Sequence, residues 1–464
     1  MIPPHPYLRA ALLASILLLC CGSGNYLRAQ DDFKGGSAVP AERPSNPTIR
    51  RRPRPVQPKK PRPQSSVRDT PARRPQPTPP PSERSEQTQA VAESEREVEP
   101  QPAAAEELSR KVDEAIEQGN AARDANPPRY SEAERAYKLA ASLDAREESA
   151  YLGLGNIYFD QKRYSEAADA YKQVIALKPD ESIAHNRLGW SYYLIGRYDE
   201  AVAAFNQALT YQSDSASAYI GLGNVHFLSS RYAQAADAYK NATRLRPDDA
   251  GAHYGLSNAY RNLSRYDEAI EEGSQAVRLQ PTESVYHNTL GVAYYAKGRF
   301  AEAANALRQA AHLKPDWAVA HFNLGAAYYG MQLYDPAIDS YRQAIRLRPR
   351  QALYYNDLGM ALYAKHQYRD AIETFREAIR LKADEARYYH MLGLAYIANK
   401  QIKEAIEAYE QAIRLKSNWA LAHFNLGQLY LSSGNKEKAQ QQLVILRTLD
   451  RQMADTLEMT IKRR

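Results

Sequence analysis

The chain has 464 residues, of which 25% are charged, and a formal net charge of +7. Its only cysteines, Cys20 and Cys21, lie close to the N-terminus, which excludes a disulfide framework or a thiolate metal site from a chain cut after Ala29. No glycine-rich phosphate loop, HExxH pair or nucleophile elbow occurs, so no enzyme, cofactor or metal is expected.

Residues 1–29 read as a signal peptide. Arg9 precedes an apolar run from Ala10 to Cys21, too short to span a bilayer but suited to the core of a secretory signal, and Ala29 offers a small residue for cleavage before Gln30. The adjacent cysteines leave a lipoprotein signal as the rival, with Leu19 a poor neighbour for processing at Cys20. The expected location is periplasmic or extracellular, either soluble or lipid-anchored.

Residues 30–104 lose all helical or strand periodicity and are expected to form a disordered, proline-rich linker. Between Ala41 and Pro75, eleven Lys or Arg face only Glu42 and Asp69, a net of +9 that leaves −2 for the rest of the chain. An acidic run with Glu83, Glu86, Glu93, Glu95, Glu97 and Glu99 comes next. Proline favours extended backbone and like charges open it further, so a semi-stiff tether is the plain expectation. Docking of the basic run onto an anionic envelope surface is the sharper one. Neither a nucleic acid nor a small-molecule substrate is expected as a partner.

Residues 105–147 read as an N-terminal capping helix and a degenerate repeat, in which Tyr130, Ala133, Tyr137 and Ala140 share the phase of a regular 34-residue repeat. Nine units of that length run from 148 to 453. Gly155, Gly189, Gly223, Gly291, Gly325, Gly359, Gly393 and Gly427 occupy one phase, with Ser257 in the remaining slot. Ala133, Ala167, Ala201, Ala235, Ala269, Ala303, Ala337, Ala371, Ala405 and Ala439 occupy another. Apolar residues recur three and four apart in two runs per unit, so each unit predicts two amphipathic helices, A and B. Small residues let the helices approach and large ones fill the space beside them. Pro179, Pro247, Pro281, Pro315 and Pro349 stop helix B. Asp199, Asp267 and Asp335 are placed to cap helix B, with Pro336 at its first position. Residues 454–464 predict a capping helix, carried by Met453, Leu457 and Ile461.

These phases resemble the tetratricopeptide repeat, from Glu114 to about Arg451. The resemblance implies an all-α, right-handed superhelical solenoid of helix-turn-helix repeats that binds a protein or peptide partner. One unit departs from the pattern: Gly273 stands where others carry Tyr171, Phe205, Tyr239, Tyr341, Phe375 or Tyr409, which predicts local repacking, or else a flexible joint or a small pocket between units. Five histidines, His185, His253, His287, His321 and His423, exchange with tyrosine at one phase of helix A, so packing with a polar tip is expected over metal ligation.

The face of helix A away from its packing stripe holds Asn156, Phe159, Asn186, Trp190, Tyr193, Asn224, Phe227, Asn258, Arg261, Tyr295, Phe322, Tyr329, Asn356 and Tyr363, together with Tyr254 and Asn288. In the family this arc resembles the wall of the concave groove. Carboxamides pair with peptide amides whatever the sequence, and rings supply apolar area to peptide side chains or sugars alike. Asn323 and Asn425 resemble the asparagine ladder of the repeat domain in O-linked N-acetylglucosamine transferases, which implies backbone contact and not transfer chemistry. The expected function is therefore a non-enzymatic envelope scaffold for extended polypeptides. A carbohydrate-handling scaffold of a polysaccharide export system, or an architectural subunit of a pilus or outer-membrane assembly machine, is the alternative.

Overall fold

In the computed structural model the described residues are 102–463; the expected signal segment and nearly all of the expected linker lie outside them. Among the described residues there are 21 α-helices and no strand. They divide into two compact units at Ser213 and Asp214.

The first unit holds three helix pairs: α1 (Pro102–Arg123) and α2 (Tyr130–Leu143), α3 (Glu148–Asp160) and α4 (Tyr164–Leu177), and α5 (Ser182–Leu194) and α6 (Tyr198–Tyr211). The second holds seven pairs and a final helix: α7 (Ala216–Leu228) and α8 (Tyr232–Leu245), α9 (Ala250–Asn262) and α10 (Tyr266–Leu279), α11 (Ser284–Ala296) and α12 (Phe300–Leu313), α13 (Ala318–Gly330) and α14 (Tyr334–Leu347), α15 (Ala352–Ala364) and α16 (Tyr368–Leu381), α17 (Ala386–Ala398) and α18 (Ile402–Leu415), α19 (Ala420–Ser432) and α20 (Lys436–Leu449), then α21 (Arg451–Arg463).

Within a pair, the glycine phase explains the approach. A Cβ built on Gly155, Gly189, Gly223, Gly325, Gly359 or Gly393 would fall 2.5–2.9 Å from the ring of Tyr171, Phe205, Tyr239, Tyr341, Phe375 or Tyr409. Those rings are 0–2% exposed and, with the B-helix alanines, form the inter-helix core. Gly291 lies under Leu307 in the same way, whereas Gly427 meets Leu457 of α21, 2.7 Å from its Cβ position. The closing helix therefore supplies from outside the pair the bulk that an aromatic supplies elsewhere, with Ala454, Leu457 and Ile461 all buried.

Helix B ends at a leucine in eight of the nine 34-residue units, Tyr211 being the exception, and Pro179, Pro247, Pro281, Pro315 and Pro349 each stand two residues beyond it. The turn from A to B contains one left-handed residue in every unit: Lys162, Ser230, Ser264, Gln332, His366 and Lys400 at φ 58–64°, and Gly196, Gly298 and Gly434 at φ 80–84°. Only glycine takes this conformation without steric cost, so six of these turns are held there against local preference by the helices they join.

This turn moves the start of helix B. It begins at Tyr198, Tyr266 and Tyr334, so Asp199, Asp267 and Asp335 are second-position residues and make no cap, and Pro336 is third. The aspartates still favour the positive end of the helix, and Asp267 and Asp335 pair with Lys297 and Lys365 of the following unit. Ahead of several B helices an arginine binds the glutamate three residues on, as in Arg163–Glu166, Arg197–Glu200, Arg265–Glu268 and Arg299–Glu302. The same arginines lie 4.3–4.7 Å over Tyr158, Tyr192, Tyr260 and Tyr294.

The first pair is more complete than its sequence suggests. Tyr137 inserts between Gly119 and Gly153, 2.6 and 2.5 Å from their Cβ positions, and its hydroxyl donates to Asn120 at 2.9 Å. Helix α1 thus carries a Gly-Asn step like Gly155-Asn156, and it starts at Pro102, ahead of the expected boundary.

Candidate functional site

The two helix types are not equivalent. A helices such as α7 and α9 are buried on most of their circumference, whereas B helices keep an exposed outer face. In the second unit successive A helices also touch one another, from α7/α9 through α15/α17. They form an inner row there, and a partner on that row would meet helix A side chains.

The row is narrower than the sequence arc. Asn156, Trp190, Asn224 and Asn258, each next to the Gly or Ser of the packing stripe, are all buried. The side chains of Asn156, Trp190 and Asn224 lean over the gap that the B-helix ring fills. Tyr171 donates to Asn156 Oδ1 at 3.0 Å and Tyr239 to Asn224 Oδ1 at 2.6 Å. Where helix B has Phe205, with no hydroxyl, the carboxamide is replaced by Trp190, packed edge-on to that ring at 5.5 Å. Phe322, stacked on Tyr354 at 4.7 Å, and Asn356 are likewise interior. These residues build the wall from within.

Phe159, Phe227, Tyr295, Tyr329 and Tyr363 are half-buried, while Tyr193 of the same phase is buried. Each meets the first aromatic of its helix B, in Phe159–Tyr164, Tyr193–Tyr198, Phe227–Tyr232, Tyr295–Phe300, Tyr329–Tyr334 and Tyr363–Tyr368, at ring separations of 5.3–6.1 Å. Such tilted or edge-on pairs fix ring direction. Burial beside a neighbouring phenol pushes Tyr193 and Tyr363 up to about 12, so both stay neutral donors. Arg261 takes the aromatic's place in one unit, and Asn186 is half-buried earlier in its own helix.

That unit also carries Gly273. No void or break results: α10 is continuous, and a Cβ at Gly273 would meet Ser257 Oγ at 3.1 Å and Leu290 at 3.5 Å. The exchange of Tyr for Gly on helix B is matched by Gly for Ser on helix A, and Ser257 donates to the Ala269 carbonyl at 2.6 Å. Without a B-helix phenol, Asn258 turns to Tyr254 O at 3.1 Å and lies 3.5 Å from the Arg261 guanidinium. The paired substitutions at 257 and 273 were the signal for this.

A second polar row joins neighbouring A helices. Asn323 donates to Asn288 at 2.9 Å, and Asn425 meets His390 Nε2 at 3.2 Å, both across 35 residues. His390 is fully buried between Tyr409 and Trp419, and burial pulls it down to about 3, so it is neutral. The periodic histidines bond carbonyls six residues earlier, His185 to Pro179, His253 to Pro247, His287 to Pro281, His321 to Pro315 and His423 to Ser417, at 2.8–3.0 Å. They tie each helix A to the preceding turn. Among the described residues no group of three or more His, Cys, Asp or Glu could hold a metal, and no helix is long and apolar enough to cross a membrane.

Family models described as tetratricopeptide or TPR repeats match residues 116–182, 152–218, 186–240 and 220–284, then 291–332, 359–400 and 393–434, and 318–351. No curated protein matches the chain. Among solved structures it is similar to the APC/C hetero-tetramer Cut9-Hcn1, at 16% identity and TM-score 0.43 over 69% of this chain and 62% of that one. It is also similar to YrrB, a TPR protein with an unusual peptide-binding site, at 24% identity and TM-score 0.38 over 43% of this chain and 98% of that one. A third is Pseudomonas aeruginosa pilF, at 21% identity and TM-score 0.40 over 45% and 96%. With the glycine, alanine and aromatic phases packed as described and the repeat models tiling the array, the chain belongs to the tetratricopeptide repeat family.

Proposed function

We propose that this tetratricopeptide scaffold works by recognition, holding an extended polypeptide along the inner row of A helices. The observation that carries the reading is the series of half-open rings at one phase of the second unit, Phe227, Tyr295, Tyr329 and Tyr363, set in direction by partners on helix B. A strand rising about 3.3 Å per residue offers side chains to such rings at regular intervals. Pre-set rings lose little freedom on binding.

The apolar run after Arg9 supports export, and the basic stretch from Ala41 to Pro75 supports a tether near an anionic envelope surface. Cell fractionation checks the first. Sedimentation with anionic vesicles at low salt, with and without that stretch, checks the second.

The test of recognition is direct. Immobilised chain is offered random extended decapeptides and, separately, a glycan array. Retention of peptides, reduced by Phe227→Ala with Tyr295→Ala, is expected. Retention of glycans alone would transfer the site to the carbohydrate reading.

A further inference from the structure

Positions 356 and 357 interrupt the polar row between A helices. At the flanking steps the partner 35 residues away supplies a polar group, Asn323 to Asn288 and Asn425 to His390. By the same relation Asp357 faces the register of Phe322, and Asn356 that of Met391, neither of which can donate a conventional N–H or O–H bond. Asn356 Nδ2 turns instead to its own neighbour, donating to Asp357 Oδ1 at 2.8 Å, and also contacts Met360 Sδ at 3.6 Å. Its Oδ1 is buried without a hydrogen-bond partner in a residue that is 0% exposed.

Asp357 is thus held by one amide hydrogen bond, and no Lys, Arg or His among the described residues forms an ion pair with it. Asp357 is half-buried and keeps part of its surface open. Burial pushes its carboxyl up to about 7, with the Asn356 bond opposing. A carboxylate so placed is short of positive charge, and a cation would relieve it.

We propose that Asp357, positioned by Asn356, is a subsite for a cationic side chain, arginine above all, carried by the polypeptide in the groove. Guanidinium suits it because its planar fork matches a carboxylate with two parallel N–H donors. Lysine would give the charge without the plane. The subsite rests on the groove reading and adds the chemistry of one position in the guest.

The test uses the full chain and two biotinylated pools of random decapeptides, identical except that one fixes arginine at its centre and the other citrulline, its neutral isostere. The wild type should retain the arginine pool at least about tenfold more strongly, as a charged hydrogen bond of about 1.5–3 kcal/mol requires. Asp357→Asn, isosteric and free of the buried charge, should hold both pools at the wild-type citrulline level, with unchanged helical circular dichroism. Asp335→Asn, on the outer face, should behave as wild type. Equal retention of both pools by the wild type, or an arginine preference that survives Asp357→Asn, overturns the subsite while leaving the groove intact. Retention of neither pool removes both.

Discussion

Gly223 and Gly273 invite the same substitution and should answer it oppositely. An alanine at 223 would place Cβ 2.7, 2.8 and 2.9 Å from Cε1, Cδ1 and Cζ of Tyr239. The ring has no retreat: the Cβ position of Gly255 on its other side is 2.5 Å away, and Asn224 holds its hydroxyl at 2.6 Å. Overpacking of this kind costs about 1–3 kcal/mol. Helix propensity returns about 1 kcal/mol. With the ring fixed on both sides the upper end applies, so Gly223→Ala should lose about 2 kcal/mol net. At 273 the new methyl meets only a hydroxyl at 3.1 Å and Leu290 at 3.5 Å. Gly273→Ala should therefore range from neutral to about 1 kcal/mol stabilising. Urea unfolding followed by circular dichroism reads the difference, and hydrogen exchange over Ala216–Leu228 and Ala250–Asn262 localises it. Equal transitions for the two variants would refute the packing argument.

Tyr171→Phe should cost about 1–3 kcal/mol, because it leaves the buried Asn156 oxygen without its donor; thermal denaturation measures it, and adding Asn156→Trp, after Trp190 and Phe205, should recover part of the loss. Asp357 binds its proton more tightly in the folded chain, near 7, than in the unfolded chain, where an aspartate keeps its ordinary value of 3.8. Stability should thus fall as pH rises between those values, by at most about 1.4 kcal/mol per unit. Denaturant midpoints at pH 5 and pH 8 should differ by less in Asp357→Asn. Leu457→Ala empties the contact with Gly427 and should cost about 2–5 kcal/mol. Exchange should quicken in Ala420–Ser432 and Lys436–Leu449 and stay unchanged in Glu148–Leu177, as nearest-neighbour stacking requires.

The helix pairs were legible because close approach forces small residues into fixed phases, and Gly223 or Ala235 records that constraint directly. The first pair was hidden by its turn: the longer connection through Asn126, Pro127 and Pro128 shifts Gly119 out of the 34-residue phase, though its packing on Tyr137 is the same. Asp267 and Asp335 looked like caps because a left-handed turn residue cannot be read where it is serine or glutamine, whereas ahead of Asp199 the turn glycine, Gly196, was a readable sign. The site was legible as a direction on helix A and not as a depth. Helical geometry aims Asn156 and Asn224 off the packing stripe, but only the location of Tyr171 and Tyr239 decides that both amides point inward. Ser257 and Gly273 needed to be read as one exchange across a helix pair.

Site-specific photo-crosslinking tests most directly whether the inner row is where a guest lies. A photoreactive phenylalanine at Phe227 or Tyr295, and at the exposed outer positions Lys240 and Gln309, is irradiated with the random decapeptide pool. Crosslinks from 227 and 295, with little from 240 and 309, are predicted. Crosslinks from the outer positions of equal or greater yield would contradict recognition along the A helices.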